Sequence, residues 1–326
     1  MPVEHVAHHR GALRAILLAA PRGWCAGVDR AVDIVERALD RFGPPIYVRK
    51  QIVHNRHVVE GLERRGAIFV DEVDEVPPGS HCVLSAHGSA PVVYETARNR
   101  DLKVIDATCP LVTKVHVEAI RFAKRDRTIV LIGHAGHEEV EGTMGQAPAR
   151  TVLVQDVDEA ERLEVPDGSN LSYIMQTTLS VDDTKEIVET LRRRFPNISG
   201  PTKSDICYAT TNRQAAIKVL AQRAPLILVI GAPNSSNSLR MVEVAKQHGA
   251  QSYLIEDESQ IDPDWLEGID TVGLSSSASA PEWLVESVLD FLKGFGPAEV
   301  EEVRVIDEDV RFPLPKEVAD ARSASL

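Results

Sequence analysis

Short apolar runs alternate with amphipathic stretches along the whole chain. Residues Ala15–Ala20, 46–48, 83–84, Thr128–Ile132, 152–154, Leu226–Ile230 and 271–274 are rich in Val, Ile and Leu, with no clear apolar–polar alternation. Such runs suit strands buried on both faces, as in parallel sheets wrapped by helices. Helical patterns lie between them. After Cys25, the residues Val28, Val32, Val35 and Leu39 fall on one face, with Asp29, Asp33, Glu36 and Arg37 between them. The alternation predicts an α/β fold built on parallel sheets.

Polar clusters mark where these strands end, which is where open α/β sheets bind ligands. They read His54-Asn55-Arg56, Ala86-His87-Gly88, His134 to His137, Gln176-Thr177-Thr178, Asn234 to Asn237 and Ser275 to Ser279. Their positions repeat relative to three cysteines. His54 follows Cys25 by 29 residues, His137 follows Cys109 by 28, and Ser235 follows Cys207 by 28. A second polar end follows the same cysteines by 62 residues at His87, 68 at Thr177 and 72 at Ser279. This rhythm predicts three similar α/β units in a pseudo-threefold arrangement, strand ends pointing inward. The expected organisation is an N-terminal extension (1–14), a first strand and cysteine loop packing with the third unit (15–26), three α/β units (27–109, 110–206, 207–294) and a C-terminal tail (295–326).

Composition narrows the function. The 326 residues are 43% hydrophobic and 26% charged, with a formal net charge of -13. That balance is globular and argues against a general nucleic-acid binder, which needs a basic face. No apolar run is long enough to span a bilayer, and residues 1–14 lack the apolar stretch of a signal peptide. A cytoplasmic, reducing location is expected. Four widely spaced cysteines with no CxxC pair then point away from disulfides and zinc ribbons.

Cys25, Cys109 and Cys207 each precede a helical pattern, and Pro110 is a favoured first-turn residue. The N–H groups and positive dipole end of a helix start favour the thiolate that binds metal. Three thiolates suit a [4Fe–4S] cluster, one per chain, with one iron left without a cysteine. Buried structural cysteines are the plain alternative, and Cys82, inside an apolar run, reads that way. Singly, His54, His87 and His137 would be structural histidines, the Asn-Ser run an ordinary turn, and Ser275 to Ser277 a solvated loop. Their shared placement favours ligand contact.

Longer motifs carry a family resemblance. Pro21 to Val28, Val53-His54-Asn55, Ser85 to Gly88, Asp106 to Pro110 and Gly136 to Gly142 resemble the 4-hydroxy-3-methylbut-2-enyl diphosphate reductase family. So do Gln176 to Ser180, Asp205 to Arg213, Asn234 to Ser238 and Ala278 to Pro281, spanning residues 15 to 292 in the family's order. The resemblance implies a trefoil around a central cluster held by Cys25, Cys109 and Cys207. It implies a substrate diphosphate held by His54, His87, His137, Ser235, Ser236, Asn237 and Ser279, with Glu139 delivering a proton and Thr177 binding the substrate near its hydroxyl. The implied reaction is reductive dehydroxylation to isopentenyl and dimethylallyl diphosphate. A one-electron donor such as ferredoxin or flavodoxin would supply the electrons, and neither nucleic acid nor membrane would be a partner. The sequence departs from close relatives at Glu138, often Pro in the family, at Ser89-Ala90 and at Ser275 to Ser277. On residues alone Glu138 competes with Glu139. A three-cysteine lyase of the quinolinate-synthase type and a non-catalytic iron–sulfur redox sensor are the rival readings.

Overall fold

The computed structural model describes residues 13–319 except 167 and 169. Residues 1–12 of the expected extension and 320–326 of the expected tail lie outside the described residues. The strands are β1 (Ala15–Ala20), β2 (Ile46–Arg49), β3 (Ala67–Val70), β4 (His81–Leu84), β5 (Lys103–Asp106), β6 (Thr128–Ile132), β7 (Thr151–Val154), β8 (Leu171–Met175), β9 (Leu226–Ile230), β10 (Gln251–Ile255), β11 (Thr271–Ser276) and β12 (Glu299–Arg304). The helices are α1 (Ala26–Phe42), α2 (Arg56–Arg64), α3 (Pro91–Asn99), α4 (Pro110–Ala123), α5 (Glu138–Met144), α6 (Val157–Arg162), α7 (Val181–Arg194), α8 (Tyr208–Ala221), α9 (Ser236–Gln247) and α10 (Glu282–Lys293). The strands form three sheets, ordered β10-β9-β11-β1-β12, β3-β2-β4-β5 and β7-β6-β8. Every strand pair described is parallel, and the helices between them supply the crossovers that parallel strands require.

The chain divides into two compact units, one comprising the residues up to Cys25, 54–56 and 208–310, the other 26–53, 57–207 and those from 311 on. The first unit holds the five-stranded sheet. Ile16 and Leu18 of β1 pack with Leu226, Leu228 and Ile230 on one face. Leu17 and Ala19 pack with Ile227 and Val229 on the other. Successive strand residues point to opposite faces, so a sheet covered on both sides needs the unbroken apolar runs seen in the sequence. Leu13, expected in a loose extension, is buried in this core.

A segment expected to be tail forms β12, which pairs with β1 along its length. Its sequence, Glu299 to Arg304, carries three glutamates and an arginine, and only Val303 is buried. Charge of that kind is usual on an exposed edge strand, and it hides the strand from a reading based on apolar runs.

The second unit holds the other two sheets. The core around β4 includes Val73, Cys82, Leu84 and Val93, and β6 and β8 are covered on both faces. Within this unit α5 lies against the loop after β4. A Cβ on Gly142 would stand 3.0 Å from the Gly88 carbonyl oxygen, and Gln146 Nε2 donates to Ser89 O at 3.1 Å. That approach brings the strand ends of the two sheets together. Gly88 has φ +82, and a side chain there would also meet His116 Cε1 at 2.7 Å, so the turn after His87 calls for glycine.

Candidate active site

All three cysteines begin a helix, and each anchors its own N–H on a polar strand end. Cys25 donates to Ala278 O at 3.3 Å, Cys109 to Ala86 O at 3.0 Å and Cys207 to Thr177 O at 3.0 Å. The acceptors are Thr177 itself and the direct chain neighbours of Ser279 and His87. The spacing rhythm thus has a physical counterpart: the second polar end in each set is where a cysteine loop docks. None of the three is in a disulfide, and each is half-buried. Cys82 is different. It is fully buried in β4, and burial pushes its thiol up to about 11, which keeps it protonated and a poor ligand.

In the second unit, Glu139, Thr177, His87, His137 and Glu138 come together. Glu139 is buried. Its Oε1 accepts the Thr177 backbone N–H at 2.6 Å, and its Oε2 accepts the Thr177 hydroxyl at 2.9 Å. Burial raises the Glu139 pKa to about 7, against the opposing pull of the Thr177 hydrogen bonds and the His87 charge. A carboxyl balanced there can give up a proton at neutral pH. Glu138, its neighbour, faces other groups. Its Oε2 meets His87 Nδ1 at 2.9 Å. Burial pushes the Glu138 carboxyl up, but the hydrogen bond and charge of His87, helped by His137 and Lys50, hold it below its usual value overall. The structure therefore separates two carboxylates that the sequence left in competition. Glu138 is an ionised partner of His87, and Glu139 is the proton-holding group.

The two histidines are set in different states. His87 presents Nδ1 to a carboxylate, so Nδ1 carries a proton. His137 caps α5 by accepting the Glu139 N–H on Nδ1 at 3.1 Å, which leaves its proton on Nε2. Burial and the nearby His87 lower the His137 pKa to about 4, so it is a neutral donor. The rings meet edge to face with centroids 5.9 Å apart.

The first unit gathers His54, Ser279 and the start of α9. Ser279 Oγ donates to His54 O at 2.9 Å, and Asn234 Nδ2 contacts His54 Nδ1 at 3.2 Å, a contact that fixes the His54 proton on Nε2. Ser235 caps α9 by accepting the Ser238 N–H, and Ser236 and Asn237 open the helix. All three are buried. Asn237 Nδ2 reaches only the Met241 sulfur, at 3.7 Å, while Oδ1 is buried with no partner. Rotating the amide by 180° would aim Nδ2 where an anion's oxygen could accept it. Ser275 to Ser277, expected to be solvated, are fully buried, because β11 runs on through Ser276. Ser276 Oγ accepts the Gly23 N–H at 2.8 Å, and Ser275 Oγ has no partner. Among the described residues, a buried hydroxyl and a buried amide oxygen without partners are unusual enough to mark this end of the sheet.

Two contributors escaped the sequence reading. Asp205 is buried and accepts the Met175 N–H on Oδ2 at 3.0 Å, which ties the Cys207 loop to β8. Asn234 orients His54. Both lay inside quoted motifs, yet nothing in residue type or spacing marked either as an orienting group.

A protein family described as LytB protein matches residues 16–293. The chain belongs to the LytB protein family. Among curated relatives of this LytB chain, 4-hydroxy-3-methylbut-2-enyl diphosphate reductase of Leifsonia xyli subsp. xyli (strain CTCB07) is 60% identical over 94% of the chain and 91% of the relative. The E-1-hydroxy-2-methyl-but-2-enyl-4-diphosphate reductase from Plasmodium falciparum is 37% identical, with a TM-score of 0.90 over 94% of this chain and 97% of that one. A second solved structure, of (E)-4-hydroxy-3-methyl-but-2-enyl diphosphate reductase, the terminal enzyme of the non-mevalonate pathway, is 31% identical, with a TM-score of 0.60 over 86% and 99%. The three-sheet α/β fold is the one expected for the family, and none of these likenesses favours the lyase or sensor readings.

The cysteines fit the cluster the family resemblance implies. They stand at helix starts outside any disulfide, each held by its backbone and half-buried rather than sealed in a core. Among the described residues no three His, Cys, Asp or Glu side chains could hold a single metal ion. A single ion draws its thiolates to about 2.3 Å from one point, whereas a cubane takes each thiolate on a different iron, so the two demands differ.

Proposed function

We propose that this chain reduces (E)-4-hydroxy-3-methylbut-2-enyl diphosphate to isopentenyl and dimethylallyl diphosphate, the last step of the non-mevalonate isoprenoid pathway. Glu139 carries the reading: it keeps a proton near neutrality beside a hydroxyl able to relay it, in a chain whose relatives bear this enzyme's name. In this proposal Cys25, Cys109 and Cys207, drawn from three pseudo-equivalent units, hold one [4Fe–4S] cluster with one iron lacking a cysteine. When bound, it would supply one-electron transfers and a Lewis-acidic iron for the substrate's alcohol oxygen.

The protein's own groups do the rest. Neutral His54 and His137, His87, the hydroxyls of Ser235, Ser236 and Ser279 and the Asn237 amide donate to the diphosphate. Directed hydrogen bonds to a charged acceptor are the stronger kind. Thr177 orients the substrate hydroxyl. Protonated Glu139 gives its proton to Thr177 Oγ1, whose own proton passes to the departing oxygen. The C–O bond breaks and water leaves. Two electrons from a donor such as ferredoxin or flavodoxin and one further proton on the allyl fragment complete the balance. Protonation at either end of that fragment gives the two products. Free cysteines suit a reducing compartment, so we assign the protein to the cytoplasm. Among the described residues no helix is long and apolar enough to cross a membrane.

The test is anaerobic reconstitution with iron and sulfide, followed by chemical reduction of the allylic diphosphate. Cluster absorption and both isomeric products are expected. Cys109→Ser should lose the visible absorption, and an unchanged spectrum would remove that cysteine from the ligand set.

A further inference from the structure

Three cations stand at matching positions after the three cysteines. Arg30 follows Cys25 by five residues, Lys114 follows Cys109 by five, and Arg213 follows Cys207 by six. None of them holds the cysteine at the start of its own helix. Arg30, on α1, donates from Nη1 to Ala107 O and Thr108 O, both at 3.2 Å, just before Cys109. Lys114, on α4, donates from Nζ to Lys203 O at 2.9 Å, Ser204 O at 3.1 Å and Asp205 Oδ1 at 2.8 Å, just before Cys207. Arg213, on α8, donates from Nη2 to Gly23 O at 2.6 Å, two residues before Cys25. The pattern is cyclic in sequence: the helix after each cysteine grips the loop before the next, and the third returns to the first.

Two of the grips are braced by the C-terminal segment. Arg213 is fully buried and pairs with Glu308 at 3.1 Å, which also accepts from Asn212 at 2.9 Å. Arg30 Nε donates to Pro313 O at 2.7 Å. Lys114 is braced instead by Asp205, whose side chain is fully buried. Burial pulls the Arg30 pKa down while the charges of Asp106 and Cys109 push it back up, which puts the guanidinium within electrostatic reach of the Cys109 sulfur.

We infer that Arg30, Lys114 and Arg213 are positioning residues that fix the loops of Cys109, Cys207 and Cys25 respectively, and that Glu308 completes the third grip. The inference rests on the cysteines being cluster ligands. Three ligands carried by loops far apart in sequence must each be held in place if one inorganic group is to meet all of them, and groups behind metal ligands govern retention. Cations also offset the accumulated negative charge of thiolates and cluster.

The test uses the full chain, with and without the reconstituted cluster. Amide hydrogen exchange is followed in the three loops for Arg30→Gln, Lys114→Gln, Arg213→Gln and Glu308→Gln in the cluster-free protein. Exchange should quicken before Cys109 in the first, before Cys207 in the second and before Cys25 in the last two. The start of the mutated residue's own helix should stay as in wild type. In the loaded protein each variant should lose iron to a chelator about tenfold faster, and Arg30→Lys and Lys114→Arg should restore most of the difference. If Arg213→Gln fails to fold, Glu308→Gln, which leaves the buried arginine in place, decides the third grip. Faster exchange spread over the whole chain, or confined to the cation's own helix, would overturn the inference. Normal iron uptake with all three loops unchanged overturns the grips alone, whereas a wild-type protein that takes up no iron overturns the ligand reading beneath them.

Discussion

The carboxyl cluster of the second unit and the hydroxyl and amide cluster of the first differ in the chemistry they can offer the proposed reaction. Around Glu139, every partner bears on one titration. Burial drives the proton on, and the Thr177 donors and the His87 charge draw it off, leaving the balance at about 7. Around Ser279 and the start of α9 stand hydroxyls and amides, those of Ser235, Ser236, Ser279, Asn234 and Asn237. The first region can transfer a proton as well as form hydrogen bonds, whereas the hydroxyls and amides of the second offer hydrogen bonds alone.

Replacing the acid should give the largest effect. Glu139→Gln keeps volume and polarity but not the proton, and turnover should fall by about 10²–10⁴-fold with KM little changed in steady-state rates. A normal kcat would collapse the distinction between the regions. The cradle comes next. Asn237→Ala removes a donor to a charged ligand, worth about 1.5–3 kcal/mol, and should raise KM at least about tenfold while sparing kcat.

Thr177→Val sharpens the comparison through pH. Wild-type kcat should decline as pH rises through about 7, the value at which Glu139 loses its proton. Removing the Thr177 hydroxyl, one of the groups that lower this value, should move the decline to higher pH, with a reduced maximum. Stability follows the same group. Its value is 4.5 when unperturbed and about 7 in the fold, so its contribution is complete below about 4.5 and is lost as pH rises through 7. Denaturant titrations of Glu139→Gln should lack that slope. The smallest change is expected for Glu138→Gln, which leaves His87 a neutral partner. KM should rise about two- to fivefold, the loss of about 0.5–1 kcal/mol for a partly exposed pair, with the pH profile unmoved.

What the sequence revealed follows from what packing demands. Strands buried on both faces must be apolar throughout, so β1, β6 and β9 stood out. β12 did not, because an edge strand is charged by the same logic that makes inner strands apolar. Ser275 to Ser277 looked solvated because polar residues rarely fill a core, and only their placement at the end of β11 and just after it shows them buried. Glu138 and Glu139 could not be ranked from composition. Adjacent helix residues lie about 100° apart around the axis, and that angle alone separates a half-buried ion-pair partner from a sealed acid. Arg30 and Lys114 carried no mark in the sequence, and Arg213 stood out only as the end of a motif, because charged helix residues are ordinarily solvated. Their spacing from the cysteines was visible, but not the carbonyl oxygens they reach.

β12 bears on how the protein can be cut and joined. The LytB family match stops at residue 293, ahead of the strand at Glu299–Arg304 and of Glu308 and Pro313. A chain trimmed at residue 293 would expose the flank of β1 and release two arginines from their braces. Purification handles and fusion partners therefore belong beyond residue 319, and a shortened recombinant form that purifies colourless would point first to the missing end.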